Sequence, residues 1–212
     1  MTAESPRWIV EGERSGRPII IAPTATSGID DAVRRMDLAF DGWAGPIPGW
    51  FKVLEKIGRW WYLIWVAIGI AVMALVVDRE VWEYFVYGPV PGVFVATITG
   101  FLAYGLGHLQ ARISGGLGGR DAVIAALASQ VRPGGAVKKM AVAALAADPA
   151  AEHYIHDLAW RAAGIGEANR VHATEELTQL WREADPEDAA AFDAKIADIE
   201  AKFKKLGDDG KI

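Results

Sequence analysis

Glu152, His153, His156 and Asp157 gather imidazole and carboxylate chemistry within one short stretch. His153 lies three residues before His156 and four before Asp157, so on a helix all three share a face. Two imidazoles at that spacing supply half of a tetrahedral metal site, which needs further ligands from another element. His172, Glu175 and Glu176 are the nearest such groups further along the chain. A di-iron Glu-x-x-His pair needs Glu three positions before His. Here Ala150 precedes His153 at that distance and His153 precedes His156. The donor set is incomplete and reads as a surface helix with solvated imidazoles. No catalytic residue, metal ligand or cofactor is assigned.

The glycines of Ser114-Gly115-Gly116-Leu117-Gly118-Gly119 are the other feature that chemistry could use. A phosphate-cradling loop needs a strand before it and Gly-Lys-Ser/Thr after it. An apolar run precedes this one and Arg120-Asp121 follows, so it reads as a hinge. The basic spots Lys138-Lys139, Lys202, Lys204 and Lys205 are outnumbered by nearby acids, and the net charge is −5. Nucleic acid is not the expected partner, and no small-molecule substrate is evident. Cysteine is absent, which removes disulfides and thiolate metal sites.

The elements that position these residues are dominated by two apolar runs. Trp60 to Val77 contains no Asp, Glu, Lys or Arg, nor does Tyr84 to Ala111. At 1.5 Å per residue the first reaches about 27 Å, close to the hydrocarbon thickness of a bilayer. The sequence predicts transmembrane helices over about 60–77 and 90–111. The first run starts too late for a cleaved leader, so it is expected to remain as an anchor. Lys52, Lys56 and Arg59 precede the spans, Arg112 and Arg120 follow them, and the connecting loop holds Asp78, Glu80 and Glu83 against Arg79 alone. The positive-inside rule then predicts a multi-pass protein of the inner (cytoplasmic) membrane with both termini cytoplasmic. Trp50, Leu54, Ile57 and Trp61, interleaved with Lys52, Glu55 and Lys56, predict an interfacial helix before the first span.

Small residues stripe each span: Ala67, Ala71 and Ala74 on the first, and Ala96, Gly100, Ala103 and Gly107 on the second. In lipid such stripes allow close helix approach. They predict a hairpin of the two spans, and the same stripes could serve an oligomer. Neither span core carries a formal charge, which argues against a pump or a proton-coupled transporter.

Outside the membrane module, Trp8-Ile9-Val10 and Ile19-Ile20-Ile21 predict a β-hairpin, with Pro18 and Pro23 suiting an edge strand. Ser27 with Asp30 predicts the cap of an amphipathic helix carrying Ile29, Val33, Met36 and Phe40. Residues 120–206 read as consecutive helices broken near 133–135, 148–149, 164–166 and 185–186, with Asp148 and Asp185 as caps ahead of proline. The last helix repeats Phe192, Ile196, Ile199, Phe203 and Leu206 at heptad spacing. That seam fits an antiparallel bundle within the chain or a coiled coil with a protein partner or second copy.

The fold class expected is mainly α. A two-span helical hairpin (49–112) stands between a small N-terminal arm of β-hairpin and helix (1–48) and a C-terminal helical bundle behind a glycine hinge (113–212). The expected role is a non-enzymatic bacterial membrane anchor or scaffold. It would present a helical domain for assembly and form a homo-oligomer or bind a protein partner through its C-terminal helices. The alternative is a phage- or plasmid-encoded membrane-remodelling, pore-forming or DNA-transfer accessory protein. The layout, without a shared motif, is similar to two-span holins and to the small membrane spread proteins of actinobacterial conjugative plasmids. An enzyme built on His153 and His156 is a third reading.

Overall fold

The computed structural model describes residues 6–208 apart from 26, 78–79, 116–117 and 165–167, and side chains as far as residue 204. The chain is mainly helical with a small three-stranded sheet. It divides into two units, Met1–Asp41 with Ile124–Ile212, and Gly42–Val123.

In the first unit the β-rich runs at the start of the chain become β1 (Ile9–Glu11) and β2 (Pro18–Ile21), antiparallel, with Ile9 opposite Ile20. Two strands alone are marginal in water, and a third completes them. This is β3 (Val131–Pro133), antiparallel to β2 with Ile20 opposite Arg132 and Ile21 opposite Val131. The expectation that 120–206 holds only consecutive helices, with a mere break near 133–135, is corrected here. The edge assignment of Ile19-Ile20-Ile21 is corrected too, since β2 is the central strand. Pro18 is tolerated because it is the strand's first residue. The sheet also brings into one unit segments that the sequence divides between 1–48 and 113–212.

Helix α1 (Ile29–Phe40) packs on β2 and β3. Its cap is Gly28 at φ 70°, without a side-chain bond, rather than Ser27. The left-handed turn there suits glycine and takes the place of a hydroxyl cap. Asp37 on α1 is buried and binds the hairpin loop: its Oδ2 accepts the Arg14 N–H at 2.9 Å and its Oδ1 the Ser15 N–H at 2.9 Å. Burial acts to raise the Asp37 pKa. The Ser15 hydroxyl and the two backbone donors outweigh it and hold the carboxyl below its ordinary value.

After α6 (Arg120–Leu127) and β3, four helices form the bundle: α7 (Val137–Ala147), α8 (Glu152–Ala162), α9 (Arg170–Ala184) and α10 (Pro186–Asp208). The predicted caps are present. Asp148 Oδ1 accepts the Ala150 N–H at 3.1 Å before the 3-10 turn Pro149–Ala151, and Asp185 Oδ1 accepts the Asp188 N–H at 3.1 Å. The core joins Trp8, just ahead of β1, and Ile20 of β2 to Met140, Ile155, Leu158, Leu177 and Trp181. Arg132, 8% exposed, fastens β3 to α8: its guanidinium donates to the Trp160 carbonyl at 2.8 Å and lies 3.9 Å from the centre of the Trp160 ring.

The second unit holds α2 (Gly49–Ile57), α3 (Trp60–Val76), α4 (Val81–Tyr87) and α5 (Pro89–Ser114). Helices α3 and α5 match the predicted runs. Much of the expected connecting loop is helical as α4; its residues Asp78 and Arg79 lie outside the described residues, as do Gly116 and Leu117 of the hinge. Thr97 and Thr99 return their hydroxyls to the carbonyls of Val93 (2.9 Å) and Val95 (2.6 Å), so both polar groups are satisfied within α5.

Candidate functional site

The α3–α5 pair is antiparallel. Trp61 Nε1 donates to the Ala96 carbonyl at 3.0 Å, Trp65 and Val66 lie against Gly92, and Gly69 and Ile70 lie against Gly88. At the crossing the two backbones nearly touch. A Cβ on Gly92 would come within 2.8 Å of Val66 Cα, and one on Gly69 within 3.1 Å of Gly92 Cα. Glycine is required there because the facing atoms are main chain and have no rotamer to give.

The predicted stripe on α5 faces inward. Ala96 and Gly107 are buried, the latter against the Phe51 ring of α2, and Ala103 is half-buried. Gly100, also half-buried, lines a groove of about 380 Å³ with Leu54, Trp61 and Tyr104. The stripe on α3 does not join this contact: Ala67, Ala71 and Ala74 are exposed. Gly69 is two residues from both Ala67 and Ala71, which at about 100° per residue puts it on the opposite side of the helix. The closest approach of α3 to α5 selects the glycine face over the alanine face. Gly69, Gly88 and Gly92 are the seam residues that the alanine spacing does not reveal. A uniformly apolar helix offers no periodicity from which to choose a face.

The outer surface of α3 and α5 is largely apolar. Leu75 is 86% and Phe101 74% exposed, and Leu63, Val72, Phe94 and Leu106 are at least half exposed. Among the described residues, every exposed large apolar side chain outside this unit belongs to Tyr154, Val171, Phe192, Ile196, Ile199 or Phe203. A soluble protein rarely leaves such contiguous apolar area in water.

One helical run, Val81–Ser114, is long and apolar enough to cross a membrane. Helix α3 alone has 17 residues, reaching about 25 Å. It is apolar enough together with α2, but the two meet at a bend of 76°. The C-cap of α2 is Gly58, at φ 51°. The short helix α2 presents Trp50, Val53, Lys52 and Lys56 outward and buries Phe51, while Trp50 Nε1 donates to Gln110 at 2.8 Å.

The imidazole–carboxylate cluster is divided by the fold. His156 turns into the first unit, stacks on Trp8 with ring centres 4.3 Å apart, and donates from Nε2 to the Ile21 carbonyl at 2.7 Å. Burial is the leading cause that lowers its pKa from 6.5. Asp157 pairs with Arg161 at 2.8 Å, and His153 is exposed. Among the described residues no group of three or more His, Asp and Glu side chains comes together in a way that could hold a metal.

The C-terminal seam is outside the core. Phe192 meets the edge of Trp181 with ring centres 5.5 Å apart, Ile196 and Ile199 are each 39% exposed and Phe203 63% exposed. The side chain of Leu206 lies outside the described ones. No protein-family model, curated protein or solved structure matches this chain.

Proposed function

We propose that the protein is an integral membrane anchor whose Gly42–Val123 unit crosses the bilayer twice and whose other unit is a helical domain presented for assembly. The observation that carries this reading is the pairing of β2 with β3, from opposite sides of the apolar unit in sequence. Strands in one sheet share one aqueous compartment, so a chain that enters lipid after β2 and pairs again at β3 crosses an even number of times. Val81–Ser114 supplies one crossing. Helix α3, lined against it through Gly69 and Gly92, supplies the other, with α2 bent away at the headgroup level.

The flanking charges favour a cytoplasmic location for the sheet and bundle. Lys52, Lys56, Arg59, Arg112 and Arg120 stand at the ends of the hairpin that lead to them, and Glu80 and Glu83 at the far turn. The test uses the absence of native cysteine. Single Cys variants at Glu80 and Glu187 are treated with a membrane-impermeant thiol reagent on intact cells after alkaline extraction has shown the chain in the membrane fraction. Labelling at position 80 and protection at 187 is expected. Labelling at both positions, or release of the chain by alkaline extraction, overturns the proposal.

A further inference from the structure

Beyond its first two turns α10 leaves the bundle, and every residue from Ala190 to Lys204 is exposed. Phe192, Ile196, Ile199 and Phe203 occupy alternating core positions of a heptad repeat, and Leu206 continues the spacing. In that frame Lys195 and Lys202 fall at the g positions, with Asp193 and Glu200 at the e positions. The ion pairs sort these charges into two groups. Asp193 is held by Arg182 at 3.0 Å and Lys202 by Asp198 at 2.6 Å. Lys195 and Glu200 have no ion-pair partner among the described residues, and they flank Ile196 and Ile199 on opposite sides of the apolar stripe.

We infer that α10 forms a parallel coiled coil with the α10 of a second copy, with Lys195 of each chain paired to Glu200 of the other. The charges decide the orientation. A parallel pair sets g against the e position five residues on, which is Lys195 against Glu200. An antiparallel pair would set lysine against lysine and Asp193 against Glu200, like charge facing like. About two heptads associate weakly alone. Two copies held in one bilayer raise each other's effective concentration, and in this respect the inference rests on the membrane reading above.

The test uses the full chain with a single Ala201→Cys on the outer face of α10, labelled as separate donor and acceptor populations. Both are reconstituted together into phosphatidylcholine vesicles, and energy transfer is titrated against protein-to-lipid ratio. Lys195→Glu alone and Glu200→Lys alone are each expected to weaken association about tenfold, since both inter-chain pairs of a dimer become repulsive. A one-to-one mixture of the two single variants, and the double variant by itself, are expected to restore it. Stronger transfer in Lys195→Glu alone would mark an antiparallel pair and overturn the inference. Failure of the mixture to recover would overturn it too, as for a helix lying on headgroups or seated on a different protein. Flotation of the same vesicles tests the membrane reading separately. A chain that fails to float yet shows the swap pattern keeps the coiled coil and removes the bilayer.

Discussion

Replacing Gly92 by alanine sets two opposing effects against each other. In an open helical position glycine to alanine gains about 1 kcal/mol of helix propensity. At the crossing of α3 and α5 the new methyl would lie 2.8 Å from Val66 Cα. An ordinary carbon contact is about 3.5–4.0 Å, so the helices must separate by roughly 1 Å. Overpacking of this kind costs about 1–3 kcal/mol. The expected net is a loss of up to about 2 kcal/mol. Gly105 on the same helix is the control, because a Cβ there has nothing within 4 Å. Gly105→Ala should be stabilising, and the two variants should differ by about 1–3 kcal/mol in opposite directions from the parent. Thermal unfolding of the full chain in one detergent, followed by helical circular dichroism, measures both. Equal upward shifts in Tm would show that no close backbone approach exists at Gly92, and the seam of Gly69, Gly88 and Gly92 would be refuted.

Removing the Asp37 carboxylate with Asp37→Ala leaves the Arg14 and Ser15 N–H groups without their acceptor. The expected cost is about 1–3 kcal/mol, read as a lower Tm, and an unchanged Tm would refute a role for this carboxylate in closing the hairpin loop. Because the folded pKa of Asp37 is depressed, its contribution is present above about pH 4 and lost as pH falls through the folded value. His156 has the opposite charge chemistry and a lowered pKa, so the unfolded chain takes up a proton near pH 6.5 while the folded chain resists it. Stability should therefore decline as pH falls below about 6.5. Urea midpoints for the parent and for His156→Gln, which can still donate to the Ile21 carbonyl, should converge in acid; parallel curves would rule out His156 as the source.

The elements with a local signal were legible in the sequence. Charge-free runs give α3 and α5, Asp-Pro steps give the starts of the 3-10 turn and α10, and alternating β-rich triplets give the first hairpin. Strand β3 left no such signal. It is only Val131-Arg132-Pro133, it ends in a proline, and its partner is about 110 positions earlier in the chain. Asp37 was invisible for a related reason: on α1 it is one acid among several, and only the folded-back hairpin makes it an acceptor. The helix-packing face was half legible. On α5 glycine and alanine alternate with bulk and mark the inward side, whereas α3 is apolar all round and its alanines face outward while Gly69 makes the contact.

The placement of β3 has a consequence for how the chain is made. When β2 leaves the ribosome its central position in the sheet has only one neighbour, and the other edge must wait for Val131. At about 5–20 residues per second that interval is roughly 6–20 s. Throughout it, the apolar helices α3 and α5 are being synthesised while an open strand edge, bearing Ile19, Ile20 and Ile21, waits for its partner. The order of elements delays completion of the sheet until translation has passed residue 133.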